Sequence, residues 1–209
     1  MRLLNCCLAA AFILSCALLS VPVQADTTIV IVRHAEKPPR GLGQLTCQGL
    51  NRSLALAPLL ISRYGKPLAI FAPNPAEQKN DNGIPYPYIR PLATVEPLAI
   101  RVGLPVTISW GMTDVEPLAI FLDKAPAGTY VLGWEHHWGE SLAKLLLARQ
   151  GGNPDEVPKW ADTDFDSIYV IRFNKDDKGL RQAHFSVEKE GLDGLPNQCS
   201  EGFPAPHSN

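Results

Sequence analysis

The segment Thr27 to Val32 (TTIVIV) is an unbroken β-branched and apolar run. With no alternation, it predicts a strand buried on both faces of a mostly parallel sheet. After it the apolar period becomes helical. Thr46 reads as an N-cap, and Leu50, Leu54, Ala57 and Ile61 recur on one face up to Tyr64-Gly65. Pro58 is expected to kink or split that helix. Leu68 to Phe71 forms a second short strand. From Ala72 to Pro91 the chain turns Pro-, Asn- and Gly-rich, which predicts an ordered excursion over the sheet edge, a lid, rather than a regular element. The hexapeptide Val-Glu-Pro-Leu-Ala-Ile occurs at Val95–Ile100 and again at Val115–Ile120. Each copy is read as opening a helix, with Thr94 and Thr113 as N-caps, a Thr113–Glu116 capping box, and a strand from Pro105 to Trp110 between them. Tyr130 to Trp134 predicts a further strand. A helix over Gly139–Gln150 follows, burying Leu142, Leu145 and Leu146 and stopping at Gly151-Gly152. Ile168–Phe173 and Ala183–Val187 close the chain as strands around a charged turn. Alternating strands and helices with short connections predict an α/β fold, a three-layer α/β/α sandwich around a mostly parallel central sheet. In such sheets ligands sit beyond the carboxyl ends of the strands.

Composition narrows the class. Of 209 residues 45% are hydrophobic and 19% charged, enough for one well-filled core. The net charge of −2 gives no electrostatic ground for nucleic-acid binding. Arg2 is the only charge before Asp26, and an apolar run from Leu3 to Leu19 leads to Val23-Gln24-Ala25. This predicts a signal peptide over residues 1–25 and an exported domain over 26–209, periplasmic or secreted, without further membrane attachment. An uncleaved anchor, or a lipoprotein acylated at Cys16, is the alternative reading. Export leaves Cys47 and Cys199 of the five cysteines, and their pairing is expected to tie the C-terminal tail to the front of the domain.

Arg33-His34 follows the first buried strand directly and so emerges at the ligand-binding edge. A guanidinium forks two oxygens of an oxyanion, and an imidazole can attack phosphorus. Arg90 stands just before a helix, where it and the helix N-terminus face the same anion. Glu135-His136-His137 ends another buried strand. Taken singly, each piece also fits a bland role: a histidine held in a turn, or a solvated arginine.

Together they resemble the histidine phosphatase superfamily, of phosphoglycerate mutase-like fold. The matching segments are RHAEKP after the first strand, Thr46-x-x-Gly49-x-x-Arg52 in the first helix, IRPLATVEPLA, and VLGWEHH. The resemblance spans residues 28 to about 150. It implies an exported phosphatase that hydrolyses a phosphomonoester, with His34 as nucleophile forming a phosphohistidine. Arg33 and Arg90 would clamp the phosphoryl oxygens, and His136, rather than His137, would complete the pocket. Positioning and charge stabilisation carry such chemistry, so no metal or other cofactor is expected. The chain departs from the family pattern twice. Ala72-Pro73-Asn74 replaces a Ser-Pro with a nearby Arg, so Arg90 reaches the pocket only if the long loop folds back. The acid that protonates the leaving group is also not fixed: Asp114, Glu116, Glu36 and Glu135 are all candidates. Lys37 either adds to the positive field or is solvated. Two other readings compete, a non-catalytic phosphate- or phospholigand-binding protein on the same fold and a metal-binding protein using His34, His136 and His137. The small-molecule substrate itself is not legible.

Overall fold

The computed structural model describes residues 27–175 and 178–199, so the segment read as a signal peptide lies outside the described residues. In chain order the elements are β1 (Thr27–Arg33), α1 (Cys47–Tyr64), β2 (Ala69–Phe71), β3 (Gln78–Asp81) and β4 (Ile84–Pro87). They continue with α2 (Arg90–Val102), β5 (Val106–Thr107), α3 (Val115–Asp123), β6 (Gly128–Trp134), α4 (His136–Arg149), β7 (Ser167–Lys175) and β8 (Arg181–Lys189). Six strands form one sheet in the order β5-β2-β6-β1-β7-β8. β1, β2, β5 and β6 pair in parallel, and β7 runs antiparallel to both β1 and β8. The expected mostly parallel three-layer sandwich is present.

The unbroken run in β1 fills both faces. Ile29 and Ile31 enter one core with Leu118, Leu122, Leu142 and Leu146 of α3 and α4, and Val30 and Val32 enter the other with Leu56, Leu60, Val95 and Leu98 of α1 and α2. Helix α2 lies close on β6 because Gly133 has no side chain; a Cβ there would stand 2.9 Å from the Pro91 carbonyl oxygen and 2.6 Å from Val95. That approach fixes the start of α2, and with it Arg90.

Several local expectations are corrected. Helix α1 runs unbroken through Pro58, which is exposed, so the backbone carbonyl that loses its partner is on the solvent side. Its buried stripe is Ser53, Leu56, Ala57 and Leu60, whereas Leu54 is 50% exposed. The stripe is shifted because Gly49 and Arg52 also face inward. The 72–91 excursion contains the β3–β4 hairpin, turned by Asn82-Gly83 with φ of 54° and 85°. Thr94 and Thr113 are not N-caps: α2 and α3 start after Ile89 and Asp114, without side-chain caps. Thr94 instead accepts the Ala35 N–H at 2.9 Å, a tertiary bond that overrides the local rule. The first hexapeptide copy therefore lies inside α2, and only the second opens a helix. The Pro105–Trp110 strand shrinks to β5, and α4 begins three residues earlier than expected, at His136.

Cys47 and Cys199 are bonded, with Cα atoms 4.7 Å apart and a sequence separation of 152. Asn51 donates to the carbonyls of Pro196 and Gln198, so the tail lies along α1. Opening this loop by the double substitution Cys47→Ser, Cys199→Ser is expected to lower unfolding stability by about 5 kcal/mol in the chain-entropy picture, read from urea titrations with and without the bridge.

Candidate active site

The His34 N–H donates to the Trp134 carbonyl at 2.9 Å, extending the β1–β6 ladder one residue past the Arg33–Trp134 pair. The register therefore brings His34 and the Glu135-His136 pair to adjacent carboxyl ends. The His34 imidazole is buried, and its Nδ1 lies 2.9 Å from the Ala35 carbonyl oxygen. A carbonyl only accepts, so Nδ1 carries the proton and Nε2 keeps its lone pair. Burial, reinforced by the charges of Arg90 and Arg33, pushes the ring down to about 3. At neutral pH it is an uncharged ring with a lone pair on Nε2.

The loop before α1 is held by three residues one helical turn apart. Thr46 donates its N–H and hydroxyl to the Glu36 carbonyl. Gly49 lets the helix approach that oxygen, which a Cβ would meet at 2.4 Å. Arg52 forks the Glu36 carboxylate at 2.8–3.1 Å. The Thr-x-x-Gly-x-x-Arg spacing is thus a scaffold for the segment that carries His34.

Arg33 is 3% exposed, and its Nη1 donates to the carbonyls of Ala161, Asp162 and Asp164 at 2.8–3.2 Å. Its guanidinium stacks 3.8 Å from the Phe165 ring centroid. Arg90 is fully buried at the first position of α2, forked by Asp81 at 2.7 and 3.3 Å and bonded to the Gly41 carbonyl. The long loop does fold back, therefore, but Arg90 is already paired. The Gly41-Leu42-Gly43 turn, with φ of 76°, 54° and 68°, makes this possible. Gly43 donates to Asp81 and accepts from the Ile89 and Arg90 N–H groups. A side chain at Gly43 would run into the Pro87 carbonyl at 2.2 Å.

His136 begins α4, buried, with Nε2 2.8 Å from Asp162 Oδ1 and Nδ1 3.0 Å from Glu135 Oε1, the latter out of line for a hydrogen bond. Glu135 caps α4 by accepting the His137 and Trp138 N–H groups. Burial alone would raise its carboxyl, but His136, Lys79 and the cap hold it down at about 2. Lys79, from β3, lies 3.7 Å from Glu135 and 5.3 Å above the Tyr88 ring, and burial lowers its ammonium. Tyr88 stands edge-on to His34 at 6.0 Å, with Arg90 over its face at 4.9 Å. Burial pushes its hydroxyl well up, so it remains a neutral donor.

Among the described residues five buried side-chain polar atoms lack an aligned hydrogen-bond partner. Four of them are Arg33 Nε, Arg90 Nε, Tyr88 Oη and His136 Nδ1, all of this group. Orphaned buried polar groups are costly and rare. A cluster of potential donors around an uncharged imidazole has the chemistry to receive an oxyanion.

Of the candidate acids, Glu36 is engaged by Arg52 and Glu135 is held ionised as a helix cap. Asp114 and Glu116 stand exposed at the start of α3, with Asp114 accepting the Gly111 N–H. Lys37 is exposed. His137 is not a strand residue but the second residue of α4, 53% exposed in its side chain, with its ring 4.0 Å from that of His136. Sequence reasoning missed Lys79, Asp81 and Asp162. The Asn82-Gly83 turn signal would have exposed the hairpin that carries the first two.

No protein-family model matches the chain, and no curated protein matches it. Solved structures do. It is similar to a structure described as a phosphohistidine phosphatase SixA from Nakamurella multipartitia, at 15% identity and TM-score 0.51, over 79% of this chain and 96% of that one. It is also similar to the mycobacterial glucosyl-3-phosphoglycerate phosphatase Rv2419c, at 16% identity and TM-score 0.52, over 77% of this chain and 97% of that one. At such identity the likeness is one of fold. The architecture is the phosphoglycerate mutase-like one that the RHAEKP resemblance implied.

Proposed function

We propose that this protein is an exported phosphatase of the histidine phosphatase superfamily that hydrolyses a small phosphomonoester through a phosphohistidine on His34. The four unpartnered polar atoms around the uncharged His34 ring carry this reading. A phosphoryl group seated there receives the Nε–H groups of Arg33 and Arg90, the Tyr88 hydroxyl and the Nδ1–H of His136. His34 Nε2 attacks phosphorus and the bond to the leaving oxygen breaks as the N–P bond forms, that oxygen taking a proton from solvent water to leave as the alcohol; a second water then cleaves the N–P bond, releasing phosphate and returning a proton to solvent. Negative charge spreads over the equatorial oxygens in the transition state, where buried, preoriented donors act most strongly. No step of this scheme calls for a metal. The proposed export rests on the pattern of residues 1–25 and on the Cys47–Cys199 bond, a linkage that persists in oxidising compartments.

The test is a panel of phosphomonoesters offered to the purified domain in the presence of a chelator. Hydrolysis of at least one supports the reading, and phosphate binding that stabilises the fold with no turnover of any would make the protein a phosphate-binding module. Arg90→Lys keeps a cation for Asp81 but removes the Nε donor and the fork. It is expected to cost about 2–3 kcal/mol in kcat/KM, roughly a hundredfold. A near-normal rate would remove Arg90 from the anion seat.

A further inference from the structure

On the outer side of His136, away from the unpartnered Nδ1, a second constellation stands at the rim of the site. Asp162 Oδ1 lies 2.8 Å from His136 Nε2 and 3.4 Å from His137 Nε2. The two imidazoles are tilted at 36° to each other, with centroids 4.0 Å apart. Glu135, His136 and His137 each offer a ligand atom within 4.8 Å of the others. Four-coordinate zinc holds nitrogen and oxygen at about 2.0–2.1 Å, so neighbouring ligand atoms are roughly 3.3 Å apart, close to the two separations to Asp162. Glu135 Oε1, 3.0 Å from Nδ1 of His136, places a negative charge beside that nitrogen and so favours the tautomer protonated at Nδ1, which leaves the Nε2 lone pair free to ligate. The geometry is open on one side: the side chains of His137 and Asp162 are 53% and 77% exposed, so an ion has an entry path and room for water.

We infer that His136 Nε2, His137 Nε2 and Asp162 Oδ1 form a binding site for a divalent transition metal of zinc type. Two imidazoles and one carboxylate suit zinc or copper and are poor ligands for magnesium or calcium. Asp162 belongs to the loop whose carbonyls hold Arg33 and whose Phe165 faces His34. A bound ion therefore latches that loop to the start of α4. The site adds to the hydrolytic reading without depending on it, since the ligand atoms lie outside the anion seat.

Equilibrium dialysis of the metal-free protein against zinc tests this directly, with thermal melts as a second readout. One zinc per chain is expected, raising the melting temperature because the ion binds the folded state. His137→Ala is expected to weaken zinc binding at least about tenfold, the scale on which even outer-shell losses act, and to abolish the melting shift. His184→Ala, an exposed histidine on β8, is expected to leave both unchanged. Absence of zinc binding, or binding equally tight in His137→Ala, overturns the inference. Neither outcome depends on whether a phosphomonoester is hydrolysed.

Discussion

Replacing His34 by alanine is expected to lower kcat/KM toward any accepted phosphomonoester by roughly four orders of magnitude or more, the scale seen when a nucleophile is removed. No other imidazole in this arrangement can substitute. His136 has its Nε2 on Asp162 and its Nδ1 beside Glu135, whereas His34 alone combines a neutral ring, a fixed tautomer and a free Nε2. Binding of inorganic phosphate is expected to survive in the variant, since the donors of Arg33, Arg90 and Tyr88 remain. Steady-state rates paired with phosphate titrations check this. Turnover within tenfold of the parent protein would end the nucleophile assignment.

The second large effect is on stability. Arg52 is 1% exposed and serves Glu36, Glu190 and Asp193, with Asp166 3.7 Å away. It thereby ties α1 to the His34 segment and to the chain that follows β8. Arg52→Met leaves the buried Glu190 carboxylate and the half-buried Glu36 carboxylate without a cation, which is expected to cost about 3–5 kcal/mol. At roughly 2–4 °C per kcal/mol for a domain of this size, the melting temperature should fall by about 10–15 °C. A shift under about 3 °C would contradict the scaffold role. The same cluster shapes the response to pH. Desolvation, with Asp166 and Glu36 adding repulsion, pushes Glu190 up to about 7. Its folded form therefore binds more protons than the unfolded chain between about pH 4.5 and 7, and stability from this group is lost as pH rises through that window. His34, depressed to about 3, works the other way, taking stability away as pH falls below about 6.5. Glu190→Gln is expected to flatten the loss on the alkaline side.

How much of this was readable without coordinates depends on whether the cause was local. The TTIVIV run announces a strand buried on both faces, and β1 is the central strand that fills both cores. The disulfide followed from cysteine arithmetic. Thr94 looked like a cap because caps are local, yet its hydroxyl is used by Ala35, 59 residues earlier. The β3–β4 hairpin carries no apolar alternation to betray it; Gln78-Lys79-Asn80-Asp81 is polar throughout, and its stability comes from Gly41-Leu42-Gly43 and Arg90. Glu36 stood among the candidate acids because its partner lies in the next helix, and the partners of Arg52, Glu190 and Asp193, lie some 140 residues away, beyond the reach of any local pattern. Strand-end residues such as His34 and His136 could be found by pattern. Asp162, contributed by a loop with no period, could not.

Phosphoenzyme trapping bears most directly on the central claim. The native protein, mixed with an accepted phosphomonoester labelled with radioactive phosphorus and quenched in alkali within milliseconds, should carry label that is stable to base and lost in acid, and tandem mass spectrometry should place it on the peptide containing His34. Label on another residue, or steady turnover with no covalent phosphate at any quench time, would contradict the account.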